Sequence, residues 1–258
     1  MRPTTRTLRA AAGLGAAALV TATLTVPAVA SAQAEGSAGG EVVTSGTCPR
    51  EEPLVRRALE RSTLRVDVEG DRRLDTVAVV TDFGAPRRCR AFVAVKVRGG
   101  AAYSAPLYRT AVPRRPFRAE IIGLPDLGDE RGAEIVVDTH ARADSALAQM
   151  FTLTRSGLRR VPLPAFEDGT FVVEGGGVTY PRGAGCTRAG GLLLSMATAT
   201  HHGRRYQVTR QRYPVRGDRL RLLGPAVVTD TVAAGRLTDR FWEFASPHWS
   251  RCTGTVRR

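Results

Sequence analysis

The chain has 258 residues, 43% of them hydrophobic and 24% charged, with a formal net charge of +14. Apolar residues at that level exclude wholesale disorder and support one moderate domain or two small ones. The basic residues are 37 Arg and one Lys, Lys96, with no Asn and with Ile only at 121, 122 and 135; Lys, Asn and most Ile codons are AT-rich, so this reads first as nucleotide composition and only second as function.

Arg2, Arg6 and Arg9 precede an uncharged Ala-, Leu- and Val-rich stretch from Ala10 to Ala30. Ala28-Val29-Ala30 and Ala32-Gln33-Ala34 both fit a small-x-small cleavage site, so residues 1–34 are expected to be a signal peptide. Gly13, Gly15 and Pro27 interrupt the run and disfavour a membrane anchor. Cleavage after Ala34 leaves 224 residues with 35 basic and 24 acidic side chains, a charge of +11. With no second long apolar run, no transmembrane segment is expected after cleavage, and the mature chain is expected to be secreted or associated with the cell envelope. Residues 35–50 form a leader, Gly-, Ser- and Thr-rich over 35–47, and 51–258 a single β-rich domain.

Pro53 to Arg61 is the best helix candidate, with Glu51 and Glu52 before it and Leu54, Val55, Ala58 and Leu59 on one stripe. Short apolar runs then alternate with Gly, Pro and Asp. Strands are expected at 76–82, 91–97, 135–139, 148–154, 158–163, 170–174, 192–200, 204–213 and 219–223, with a hairpin turned at His201-His202-Gly203 and a last short helix over 237–244. The four cysteines, Cys48, Cys89, Cys186 and Cys252, contain no C-x-x-C pair; in an oxidising compartment they imply two disulfides. Of three connectivities, Cys48–Cys89 with Cys186–Cys252 is favoured, because nearest-neighbour closure ties down each end of the domain.

Two segments look like copies of one unit, over 62–97 and 121–154. Asp67-Val68-Glu69-Gly70-Asp71-Arg72-Arg73-Leu74-Asp75 runs into an apolar strand; 59 residues later Asp126-Leu127-Gly128-Asp129-Glu130-Arg131-Gly132-Ala133-Glu134 does the same. Each holds an acid at its first and ninth positions. Ca²⁺ takes six to eight oxygens, and a tight loop can offer them at alternating positions. The first loop supplies Asp67, Glu69, Asp71 and Asp75 as carboxylates and Arg73 through its backbone carbonyl. This resembles the D-x-D-G-D-G-x-x-D loop of FG-GAP/VCBS repeats, the blades of integrin-type β-propellers. The resemblance spans roughly residues 62–155 and implies calcium at the first loop. It departs from the pattern at Arg72, where the family has Gly, at Glu69 for Asp, and at Gly128 in the second copy. The fold expected is an all-β, partial or small β-propeller-like meander with a short N-terminal helix, or alternatively a two-sheet β-sandwich.

No G-x-S-x-G, H-E-x-x-H, P-loop or dinucleotide fingerprint occurs. His140, Asp144 and Ser145 form a triad only by free choice of residues, His248 is isolated, and Arg216-Gly217-Asp218 reads as a hairpin turn. His201 and His202 read as exposed turn residues. Arg clusters at 56/57, 87/88/90, 114/115/118, 159/160, 204/205 and 210/212 suit a polyanion surface, with no recognisable nucleic-acid fold. The expected function is therefore a secreted, non-enzymatic FG-GAP/VCBS-like protein that binds calcium at an acidic loop and adheres to anionic envelope polymers. A secreted hydrolase with a site built from separated loops, or a structural envelope protein, are the alternatives.

Overall fold

The computed structural model describes residues 42–43, 48, 50–86, 89–107, 119–127, 132–139, 145–163, 170–177, 179–187, 190–216, 219–220, 227–244, 249 and 252. The expected signal peptide lies outside the described residues. The all-β expectation holds: strands dominate, in a five-stranded sheet, a nine-stranded sheet and one two-stranded ribbon.

The chain first forms β1 (Val42–Val43), inside the stretch read as a leader, and pairs it parallel to β5. Helix α1 (Glu51–Arg61) follows. It begins two residues before the expected Pro53, and its acidic first turn and basic last residue both suit the helix dipole. Then β2 (Arg65–Val66), β3 (Asp75–Thr81), β4 (Ala91–Lys96) and β5 (Ala102–Pro106) run as an antiparallel meander. Strand β4 is buried at five consecutive positions because both its faces are covered, so it reads as a continuous apolar run without alternation. Phe92 and Ala94 face Val55 and Leu59 of α1. Val93 and Val95 face the other way, into the core shared with the larger sheet.

The larger sheet opens with a second four-strand meander: β6 (Glu120–Gly123), β7 (Ile135–Asp138), β8 (Ser145–Thr154) and β9 (Gly157–Arg160). The two meanders pack on each other through Val77, Val93 and Val95 on one side and Ile135, Val137 and Phe151 on the other. The sheet then continues through β10 (Thr170–Gly175), β11 (Arg182–Cys186), β12 (Leu192–Thr200) and β13 (Arg205–Tyr213). After the ribbon of β14 (Val215–Arg216) and β15 (Arg219–Leu220), β16 (Val227–Ala233) closes the order against β13. Strand β8 pairs β10 along its first half and β9 along its second half, on one edge. Among the described residues no pairing closes either sheet into a barrel or ring; the larger one ends on β6 and β16.

The expected C-terminal helix over 237–244 is broken: α2 (Leu237–Arg240) is followed by a single 3-10 turn at Trp242–Phe244. This arm lies on a glycine track. A Cβ at Gly183 would sit 2.1 Å from the Glu243 carbonyl oxygen, one at Gly185 2.2 Å from the Trp242 ring, and one at Gly123 2.3 Å from Trp249. Disulfides join Cys48 to Cys89 and Cys186 to Cys252, the pairing favoured from sequence. They anchor the two ends of the domain and fit an oxidising, extracellular type of environment. Among the described residues no helix is long and apolar enough to cross a membrane.

Candidate functional site: two facing acidic loops

The first acidic loop bridges β2 and β3, whose last ladder pair is Val66 with Asp75. Its carboxylates fold the loop around themselves. Asp67 Oδ1 accepts from the amides of Gly70 (2.6 Å) and Asp71 (3.2 Å), and Oδ2 from that of Arg72 (2.7 Å). Asp75 Oδ2 accepts from Val68 N (2.9 Å) and Glu69 N (3.4 Å), and Oδ1 from Arg98 N (3.1 Å). Asp71 Oδ1 takes the Arg73 amide at 2.8 Å. Such side chain–backbone bonds are how Asp shapes tight turns. Gly70 adopts φ 74°, and Arg72, standing where the repeat family has glycine, is held at φ 68°, a left-handed conformation that disfavours a long side chain.

The second loop repeats one of these contacts in register. Glu134 Oε2 accepts from Leu127 N at 2.7 Å, the ninth-position acid bonding the second-position amide, as Asp75 does with Val68. Glu134 N also donates to Pro125 O at 2.7 Å, the counterpart of the Asp75–Val66 pairing. Gly128, Asp129 and Glu130 lie outside the described residues.

The two loops touch. Ala133 N donates to Asp67 O at 2.9 Å, and Gly132, at φ 130°, packs so closely that a Cβ there would lie 2.3 Å from Val68 O. Their acids therefore share one region and repel. Desolvation, then Asp75, Asp71 and Asp67, push the Glu69 carboxyl up. Burial raises Asp75 despite its three amide donors, with Asp67 adding to the effect. Burial and then Asp67 raise Asp126. Glu134 is pushed up to about 8, mainly by burial and further by Asp126, against the opposing hydrogen bond from Leu127.

Of the expected calcium ligands, Asp67 and Asp75 thus point inward to amides, while Glu69, Asp71 and Arg73 are exposed. Among the described residues, no three His, Cys, Asp or Glu side chains are already gathered around one point. The donor chemistry suits a hard cation, since every contributing side chain is a carboxylate. Gathering them would require Glu69 and Asp71 to swing in beside Asp67.

The remaining sequence candidates separate cleanly. His201 and His202 sit at an exposed hairpin tip, as expected; His140, Asp144 and His248 lie outside the described residues. The arginine-rich strand β13 divides in two. Arg210 Nε lies 2.8 Å from the fully buried Glu243 carboxylate, by distance an ion pair although its N–H is poorly aligned, and its guanidinium covers the Phe241 ring at 5.7 Å. Arg212 donates to Gly190 O at 3.0 Å. Both serve the fold. Arg204 and Arg205 stay exposed. Clusters 87/88 and 114/115/118 lie outside the described residues.

Sequence reading missed the buried glutamates. Ser104 Oγ donates to Glu51 Oε1 (2.6 Å) and Ser195 Oγ to Glu243 Oε1 (2.8 Å), so each sheet holds a helical or 3-10 segment by a Ser–Glu bond. No local motif marks either glutamate. A shallow cavity of about 190 Å³ on the face of β10–β13 is lined by Val172, Arg182, Leu194, Met196, Thr209 and Gln211, without an acid–base pair among these residues. Comparison with family models, with curated proteins and with solved structures finds no match.

Proposed function

We propose that this chain is a secreted, non-enzymatic protein of FG-GAP/VCBS-like type, in which Ca²⁺ rigidifies the 67–75 loop and the basic surface adheres to anionic envelope polymers. The observation that carries the calcium part is the crowding of carboxylates in and beside the first loop, where burial first and repulsion second raise Glu69, Asp75 and, from the facing loop, Asp126. A divalent cation beside Asp67 would relieve that repulsion and add oxygen coordination at Glu69, Asp71 and Asp75. The propeller-like part draws support from two four-strand meanders stacked face to face, each with an acidic loop between its first and second strands. The open order of the larger sheet fits a partial assembly better than a closed one. The adhesive part draws on the charge of +11 left after cleavage at Ala34 and on arginines exposed over several elements.

Melting temperature followed during titration with EGTA and then Ca²⁺ tests the ion. At about a hundredfold excess over Kd, calcium contributes roughly 2.7 kcal/mol. For a domain of this size that is a rise of about 5–10 °C. Asp67→Ala is expected to abolish the rise. A wild-type protein whose melting ignores Ca²⁺ would remove calcium from the proposal and leave the acids as turn formers.

A further inference from the structure

We infer that the tip of the β12–β13 hairpin, residues 201–205, is the contact through which this protein engages a phosphate-bearing polyanion. The inference rests on the adhesive reading above and gives it a place.

Strands β12 and β13 pair continuously from Leu192–Tyr213 to Thr200–Arg205, so residues 201–204 project beyond the last rung of the sheet. His201, His202 and Gly203 take φ values of 48°, 54° and 80°, three left-handed residues in succession. Asn, Asp or Gly would suit such positions more readily, although His is itself enriched there among non-glycine residues. Two further bonds fix the turn: Gly203 N donates to Thr200 O at 3.1 Å and Arg204 N to His201 O at 3.2 Å. The tip is anchored sideways as well, where Ala234 N donates to Arg204 O at 3.0 Å. The turn is thus held in one shape while the side chains of His201, His202, Arg204 and Arg205 are all exposed.

Among the described residues no acid is paired with Arg204 or Arg205. Several arginines elsewhere are held by acids. Arg56 on α1 pairs with Glu52, Arg73 with Asp71, Arg210 with Glu243, and Arg236 with Asp239. Two unpaired guanidiniums offer forked donors for phosphate oxygens, and the two imidazoles add N–H donors beside them. A turn that is already ordered loses less freedom on binding than a loose arginine-rich loop. A repeating polyanion can meet several of these groups at once, whereas a single phosphate cannot.

The test uses inorganic polyphosphate as probe, with affinity measured across a salt series. R204Q/R205Q is expected to weaken binding at least tenfold at low salt and to make the salt slope shallower by roughly one to two units. R155Q/R159Q removes two exposed charges at the β8–β9 hairpin and is expected to stay within about twofold of the parent. R204K/R205K keeps both charges and is expected to keep the parent salt slope. Equal losses in R204Q/R205Q and R155Q/R159Q would overturn the assignment and leave adhesion as a diffuse property of the surface. A salt slope in R204K/R205K as shallow as that of R204Q/R205Q would overturn it too, because charge at the tip would then not account for the phosphate contacts. A parent protein that does not bind polyphosphate would sink the adhesive reading itself.

Discussion

Glu134 changes its protonation on folding. Burial raises its carboxyl to about 8, so between the unfolded value near 4.5 and that point the folded chain keeps a proton that the unfolded chain releases. Its contribution to stability is fully present below about pH 4.5 and is lost as pH rises to about 8. Thermal melts between pH 5 and 8.5 should therefore show falling stability, and Glu134→Gln should flatten that decline; an unchanged profile in the variant would place the titration elsewhere. Arg72 poses the reverse case, a residue whose misfit was legible in advance. Its departure from the glycine of the loop pattern that this segment resembles is visible in the sequence, and the structure holds it at a φ of 68°. The sequence leaves open whether Asp67 and Asp75 serve a cation or accept from turn amides, because the same acid spacing suits both.

Among the elements, those with clear periodicity or a long apolar run were legible. Leu192–Thr200 is found as expected, and β3, β4 and β7 fall within a residue or so of the expected bounds. Strand β11, Arg-Gly-Ala-Gly-Cys, was not, since glycines carry no alternation. Its pattern makes sense only against the arm at Trp242–Phe244, which is distant in sequence and needs bare backbone to rest on. Gly183→Ala would push a methyl into the Glu243 carbonyl and lift the arm from the sheet. We expect a loss of about 2–4 kcal/mol, read by chemical denaturation. The same change at Gly177, where a Cβ meets no atom within 4 Å, should cost less, with φ 66° its main penalty. A loss at Gly183 no larger than that at Gly177 would mean that the arm shifts to make room for the methyl.

For the whole molecule, each end is tied down twice. Cys48–Cys89 and the Glu51–Ser104 bond hold the N-terminal helix, while Cys186–Cys252 and the Glu243–Ser195 bond hold the C-terminal arm. Cys186→Ser/Cys252→Ser removes a bridge spanning 66 residues and should cost about 2–5 kcal/mol by denaturant unfolding. A variant as stable as its parent would show that packing of the arm suffices. The cysteine count foretold two bridges, and the gathering of strands foretold an all-β domain. The pairing of β8 with two partners along one edge was beyond local pattern, because it depends on which later strands return to it.

That shared strand bears on how the molecule opens. Residues 148 and 149 of β8 lie between β7 and β10, and residue 151 between β7 and β9, so this short run is enclosed by neighbours from both halves of the sheet. Neither half can loosen without disturbing it. In hydrogen–deuterium exchange its amides should be the last to take up deuterium, releasing only with global unfolding, while β16 at the sheet margin exchanges through smaller openings.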